Sequence, residues 1–242
     1  MLKRHMVAGI WVLALGSAAA HAEWKGKGEA GVVVARGNTD TDTVSLKLDM
    51  TDEVDQWKHA LSLAALRAAT DGDTSANRVT AGWQSDYKFS DRAFTFGALR
   101  YEKDKFSGFS YQASVTGGFG YNFIATEQVK FSGQVGAGYR RSESDDSATP
   151  PNEISNNAII TAGLDFEDAF TATTKLIDKL AVESGADDTL VSNVVGVEVK
   201  MSDKLALSVG IDARYHSSPP DVDGVPSKKL DTLSTVNLVY SF

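Results

Sequence analysis

Cysteine is absent from the 242 residues. That excludes disulfides, thiolate metal sites and cysteine nucleophiles together, and it suits a chain that crosses an oxidising compartment with nothing to mispair. Histidine is scarce, with four in the chain. Positive charge is outnumbered, with 24 Lys and Arg against 32 Asp and Glu and a formal net charge of −8. Such an acidic balance is a poor match for nucleic acid, and no nucleic-acid partner is expected. Helical periodicity is almost missing after Trp24, and no apolar run approaches the roughly 20 residues of a membrane-spanning helix.

The first 22 residues, MLKRHMVAGIWVLALGSAAAHA, combine a basic start at Lys3 and Arg4, a short apolar run and an Ala20-His21-Ala22 ending. This layout predicts a secretory signal peptide over 1–22, cleaved after Ala22, and a single mature domain over 23–242. Cleavage would remove two basic residues and no acidic ones, taking the formal charge to −10. His5 and His21 would leave with it.

What the mature chain does have is alternation. TVSLKLDM (43–50) sets Val44, Leu46, Leu48 and Met50 against Ser45, Lys47 and Asp49, and FSYQASVTGGFGYNF (109–123) alternates throughout. A period of two with one apolar and one polar row marks strands. Twelve are predicted, at 25–36, 41–52, 56–69, 76–89, 92–104, 108–123, 126–142, 154–167, 169–182, 188–201, 203–217 and 228–242. Two are ambiguous in phase. Phe94 and Phe96 face one way while Leu99 and Tyr101 face the other, which suggests a bulge in the fifth. Asp178 interrupts the apolar row of Ala172, Leu176 and Leu180 in the ninth.

The connections after even strands are short (TDEVD, SD, IAT, ED, SD), and those after odd strands are longer and acidic. Apolar rows begin and end with rings such as Trp57, Trp83, Phe123 and Tyr139, as the two faces of a bilayer favour. Segments of this length exceed the usual strands of a soluble sandwich. The expected fold is therefore all-β: a transmembrane antiparallel barrel of about twelve strands, with short periplasmic turns and longer extracellular loops. The chain ends on STVNLVYSF, whose Val236, Leu238, Tyr240 and Phe242 share one row. This ending resembles the C-terminal signal by which the barrel assembly machinery recognises its clients, and closure requires this strand to pair with the first.

Trp24-Lys25-Gly26, Gly28-Glu29-Ala30-Gly31, Arg36-Gly37-Asn38-Thr39-Asp40 and Gly136-Ala137-Gly138-Tyr139-Arg140 carry a more particular likeness. Over 24–242 the chain resembles the YdiY-like family of salt-induced outer membrane proteins, a domain of unknown function. The resemblance implies a barrel in the cell outer membrane, reached through the periplasm, and a link to salt stress. It supplies no catalytic residues. Gly37-Asn38 reads as turn chemistry.

No enzyme and no cofactor are expected. His216 and Ser218 in YHSSPPD share a strand face, but a hydrolytic triad also needs a third, orienting group. The acidic pairs Asp40/Asp42, Asp71/Asp73, Asp145/Asp146, Asp187/Asp188 and Asp221/Asp223 suit a diffuse divalent-cation surface, with Asp71, Asp73, Asp221 and Asp223 as the weak candidates for a defined site. Such a surface would link the loops to outer-membrane lipid and lipopolysaccharide. The polar row supplies the lumen candidates Lys47, Asp49, Arg78, Asp86, Lys88, Lys130, Arg140, Asp165, Lys175, Glu198, Lys200, Asp212 and Arg214. These charges either line a narrow path for ions or small polar solutes, with a role in salt or osmotic adaptation, or pair and fill a closed structural barrel whose loops bind cations, lipopolysaccharide or a partner.

Overall fold

The computed structural model describes residues 24–35, 41–71, 73–104, 107–145, 148–222 and 228–242. The 1–22 segment, Arg36-Gly37-Asn38-Thr39-Asp40, Asp146 and Asp223 lie outside the described residues. Twelve strands form a closed antiparallel barrel: β1 (Lys25–Ala35), β2 (Thr41–Val54), β3 (Trp57–Thr70), β4 (Asp73–Lys88), β5 (Ala93–Asp104), β6 (Phe109–Ala125), β7 (Val129–Ser144), β9 (Ile154–Ala169), β10 (Thr174–Gly185), β11 (Thr189–Lys200), β12 (Leu205–His216) and β14 (Leu230–Ser241). The two-residue strands β8 (Ala148–Thr149) and β13 (Asp221–Val222) pair with each other outside the barrel.

Each barrel strand pairs with its neighbours in sequence, and β14 closes on β1 from Lys27↔Ser241 to Gly31↔Asn237. Closure gives every strand two partners, so no edge of unpaired amides faces lipid. Phe242 completes the seam. Its backbone N–H donates to Gly26 O at 3.0 Å and its carbonyl accepts from Gly26 N at 2.9 Å. Its ring lies where a Cβ on Gly26 would be, so the glycine lets the ring lie flat against β1.

Alternation decides which row faces where. Val32, Leu46, Leu99, Phe119, Val135, Ile160, Val209 and Ile211 all point outward and are exposed. A continuous wall of large apolar side chains is incompatible with water and matches the hydrocarbon of a bilayer. The inward row holds most of the polar side chains. The start of β1, the end of β14 and the connections after β2, β4, β6, β9 and β11 lie at one end, here the turn end; the other connections form the loop end.

The structure corrects several boundaries. The eighth predicted segment does not turn at Glu167-Asp168: β9 continues to Ala169, the turn is 170–173, and β10 begins at Thr174. Glu167 faces the lumen with Lys130 at 3.4 Å and Lys175 at 3.3 Å, so a charged pair of residues is strand, not turn. TDEVD is likewise mostly strand, with the turn at Asp55 (φ 54°) and Gln56. The fifth strand has no bulge in its middle. Its burial alternates regularly, and the register shift against β6 lies between Glu102 and Asp104. Of the longer loops, the one after β3 is reduced to 71–72 and the one after β10 to 186–188, because the strands extend into them.

Candidate functional site: a charged lumen closed at one end

Phe94 and Phe96 point into the barrel, not outward. Phe94 lies over Gly120, and Phe96 lies over Gly118 and Gly136. Those glycines leave the room that the two rings occupy, which gives the Gly136-Ala137-Gly138 segment a packing role. Arg100, Glu102 and Asp104 continue the same inward row of β5.

The sequence-derived candidates sort by depth. At the turn end, Lys175 lies 3.5 Å from Glu198, Lys27 lies 2.9 Å from Glu198, and Lys130 and Lys175 share Glu167. Lys88 pairs with Glu53 at 2.7 Å, Lys200 with Asp203 at 3.3 Å, and Asp86 accepts from Gln84 at 2.8 Å. In the middle, Lys47 pairs with Asp49 at 2.7 Å, while Lys179 and Asp165 stand 4.0 Å apart with 58% and 55% of their side chains exposed. Exposure of that order on inward side chains means that the middle of the lumen has room for water.

The loop end differs. Arg78 Nε donates to Asp104 at 2.6 Å, and its Nη1 lies 3.5 Å from Asp212. Arg100 reaches Glu102 at 2.6 Å and Glu183 at 3.7 Å. Arg140 reaches Glu183 at 3.3 Å and Asp187 at 2.5 Å. Arg214 Nη2 donates to both oxygens of Glu102, at 2.6 and 2.7 Å. β5 and β12 are six strands apart in either direction around the circuit, so this pair joins opposite walls. Glu102 is 2% exposed and Arg140 1%. Arg100, Arg140 and Arg214 thus share Glu102 and Glu183 in one lattice across the lumen, with the Arg78–Asp104–Asp212 group beside it, and breaking such a buried pair by removing one partner costs about 3–5 kcal/mol.

A cap lies above the lattice. His216 Nδ1 is 2.6 Å from Asp188 Oδ2, while Ser217 Oγ and the Ser218 N–H donate to Asp188 Oδ1 at 3.1 and 2.9 Å. Burial opposes the Asp188 charge, but the hydrogen bonds from His216, Ser218 and Ser217 outweigh it and hold the carboxyl at about 2. Arg140 Nη2 donates to the Asp188 carbonyl at 2.8 Å, tying cap to lattice. Pairing of β8 with β13 joins the two longest loops. His216 is thus bound to a carboxylate, and Ser218 meets that carboxylate through its backbone N–H.

Arg100, Glu102, Asp104 and Glu183 are members of the site that sequence reasoning did not single out, and Asp188 was read only as half of an acidic loop pair. For three of them the signal was parity: Arg100, Glu102 and Asp104 share it with Phe94 and Phe96, whose apolar character obscured the row. Among the cation candidates, Asp71 stands in the turn after β3 with φ 52°, and Asp221 begins β13. Asp73 begins β4, and Asp223 is outside the described residues. Among the described residues no group of three or more His, Asp or Glu is placed to hold a metal ion.

Comparison with known proteins bears on fold and family. The model of a family described as protein of unknown function, DUF481, matches residues 28–242. The uncharacterised protein YdiY of Escherichia coli is 24% identical over 226 residues, covering 93% of this chain and 85% of that protein. Among solved structures, the NanC porin superposes with a TM-score of 0.53 at 9% identity, over 90% of this chain and all of that one. An outer membrane channel from Pseudomonas putida F1 does so with 0.51 at 11% identity, over 90% of this chain and 94% of that one.

Proposed function

The chain belongs to the DUF481 family, and we propose that it is a narrow outer-membrane pore for ions or small polar solutes whose outer mouth is closed by an ion-pair lattice. The turn end then faces the periplasm and the loop end the exterior. The observation that carries this reading is the Glu102–Arg214 pair between opposite walls, set beside a solvent-accessible middle lumen. A barrel filled for stability alone would have no use for a wet interior beneath a sealed mouth. A use in salt or osmotic adaptation, which the family resemblance implies, has a physical route: Asp212 and Arg100 at the wet face of the lattice keep 30% and 28% exposure, and ion pairs weaken as ionic strength rises. The row Val236, Leu238, Tyr240 and Phe242, ending at the seam, supports recognition by the barrel assembly machinery.

Single-channel recording in a planar bilayer tests the proposal. Wild-type protein is expected to open rarely, more often as salt is raised, and Glu102→Gln with Arg214→Gln to open at least tenfold more often. The reversal potential under a salt gradient reads which lumen charges control selectivity. Silence of the double variant in its folded form would refute the pore and favour a second reading that rests on the same lattice: a closed structural barrel whose acidic loops engage divalent cations and lipopolysaccharide.

A further inference from the structure

The outer wall of β1–β4 carries more than a lipid-facing surface needs. Registers Asp52↔His59 and His59↔Ser85 set these three polar side chains in one outward row at the turn end. Rings surround them. Trp57 stacks on His59 with centroids 5.9 Å apart, His59 on Trp83 at 5.6 Å, and Trp57 meets Tyr87 at 5.1 Å. Trp24, just before β1, comes within 6.2 Å of Trp83 on β4, so its indole spans the row across β2 and β3. In the same row Asp52 is 5% exposed, and its Oδ1 has no hydrogen-bond partner.

A buried carboxylate oxygen without a donor is costly, and aromatic faces around it attract cations, so the chemistry missing from this cluster is an ammonium group. Towards the membrane middle, past one intervening outward row of Met50, Leu61 and Trp83, begins a shallow and almost wholly apolar groove of about 630 Å³. Its floor is Ala30, Ala65 and Ala81, and its sides are Leu46, Leu63 and Val79. We propose that this wall binds one glycerophospholipid of the periplasmic leaflet that bears a primary ammonium headgroup, with an acyl chain in the alanine-floored groove and the ammonium at Asp52. The carboxylate repels an anionic headgroup, which sets the preference. A second copy of the barrel seated in the groove is the competing occupant.

Native mass spectrometry of purified protein equilibrated with equal amounts of phosphatidylethanolamine and phosphatidylglycerol tests this. Wild type is expected to retain the ethanolamine lipid at least fivefold over the glycerol lipid. Asp52→Asn, nearly isosteric, should bring that ratio to about one, and Ala65→Trp, which fills the groove from the lipid side, should reduce retention of both lipids. Folding of each variant is read from the faster migration of unheated barrel in gel electrophoresis. Equal retention by wild type, or a ratio unchanged in Asp52→Asn, would overturn the proposal. So would a dimer that Ala65→Trp dissociates while lipid retention stays the same.

Discussion

Asp188 gains its depressed pKa from three consecutive donors that stand far from it in sequence: His216, Ser217 and Ser218 arrive from β12 and the loop after it. Because the folded carboxyl titrates at about 2, below its ordinary value, the unfolded loop takes up the proton first. The stabilisation is therefore complete above about pH 4 and is lost as pH falls towards 2. Hydrogen-exchange protection of the Ser218 and Thr189 amides, corrected for intrinsic rates, should fall through that window and stay level above it. Asp188→Asn should lower the same protection near neutral pH by about 1–3 kcal/mol, since it strands buried donors. Protection unchanged in the variant would show that β8 and β13 hold the cap without it. The lumen charges on clearly alternating strands, Arg78, Arg140 and Arg214, were legible in the sequence as an inward row. Which carboxylate each would meet was not, because the pairing of Glu102 with Arg214 depends on barrel circumference, which no local pattern encodes.

Strands were the most legible elements, and their ends the least. Alternation is imposed by the two solvents on either side of the wall, so it survives in any stretch that crosses it. A strand end is imposed by nothing so general. Glu167 reads like turn residues, yet the lysines on the two neighbouring strands, Lys130 and Lys175, make it strand. Phe94 and Phe96 break the polar row for a reason visible only in three dimensions: Gly118, Gly120 and Gly136 on the next two strands leave space for rings. Gly136→Leu should therefore displace Phe96, and an added core side chain of that kind costs about 1–3 kcal/mol. The midpoint of urea unfolding should drop accordingly, and an unchanged midpoint would mean that Phe96 is loosely held. At the seam, deletion of Phe242 removes the reciprocal backbone pair with Gly26. The heat-modifiable folded fraction in outer membranes should fall several-fold, and full recovery of that band would mean that β14 closes on β1 without its last residue.

At the scale of the whole molecule, the barrel is asymmetric along its axis. The turn end and middle hold ion pairs that leave Lys179, Asp165 and Lys130 exposed, whereas the loop end holds a buried guanidinium–carboxylate lattice under a capped rim. On the proposed reading, one side of the membrane is offered an entrance and the other a closed door held by charges. The absence of cysteine makes this directly testable, because a single introduced thiol has no background. Val194 points into the lumen and is 41% exposed, which places a probe inside the accessible middle. In cells lacking general porins, Val194→Cys should react slowly with a charged, membrane-impermeant thiol reagent added outside, and rapidly once the outer membrane is permeabilised to admit reagent from the periplasm. Adding Glu102→Gln and Arg214→Gln should raise the outside rate at least tenfold. Rapid labelling of Val194→Cys alone in intact cells would contradict the closed mouth, and no labelling after permeabilisation would contradict the open interior.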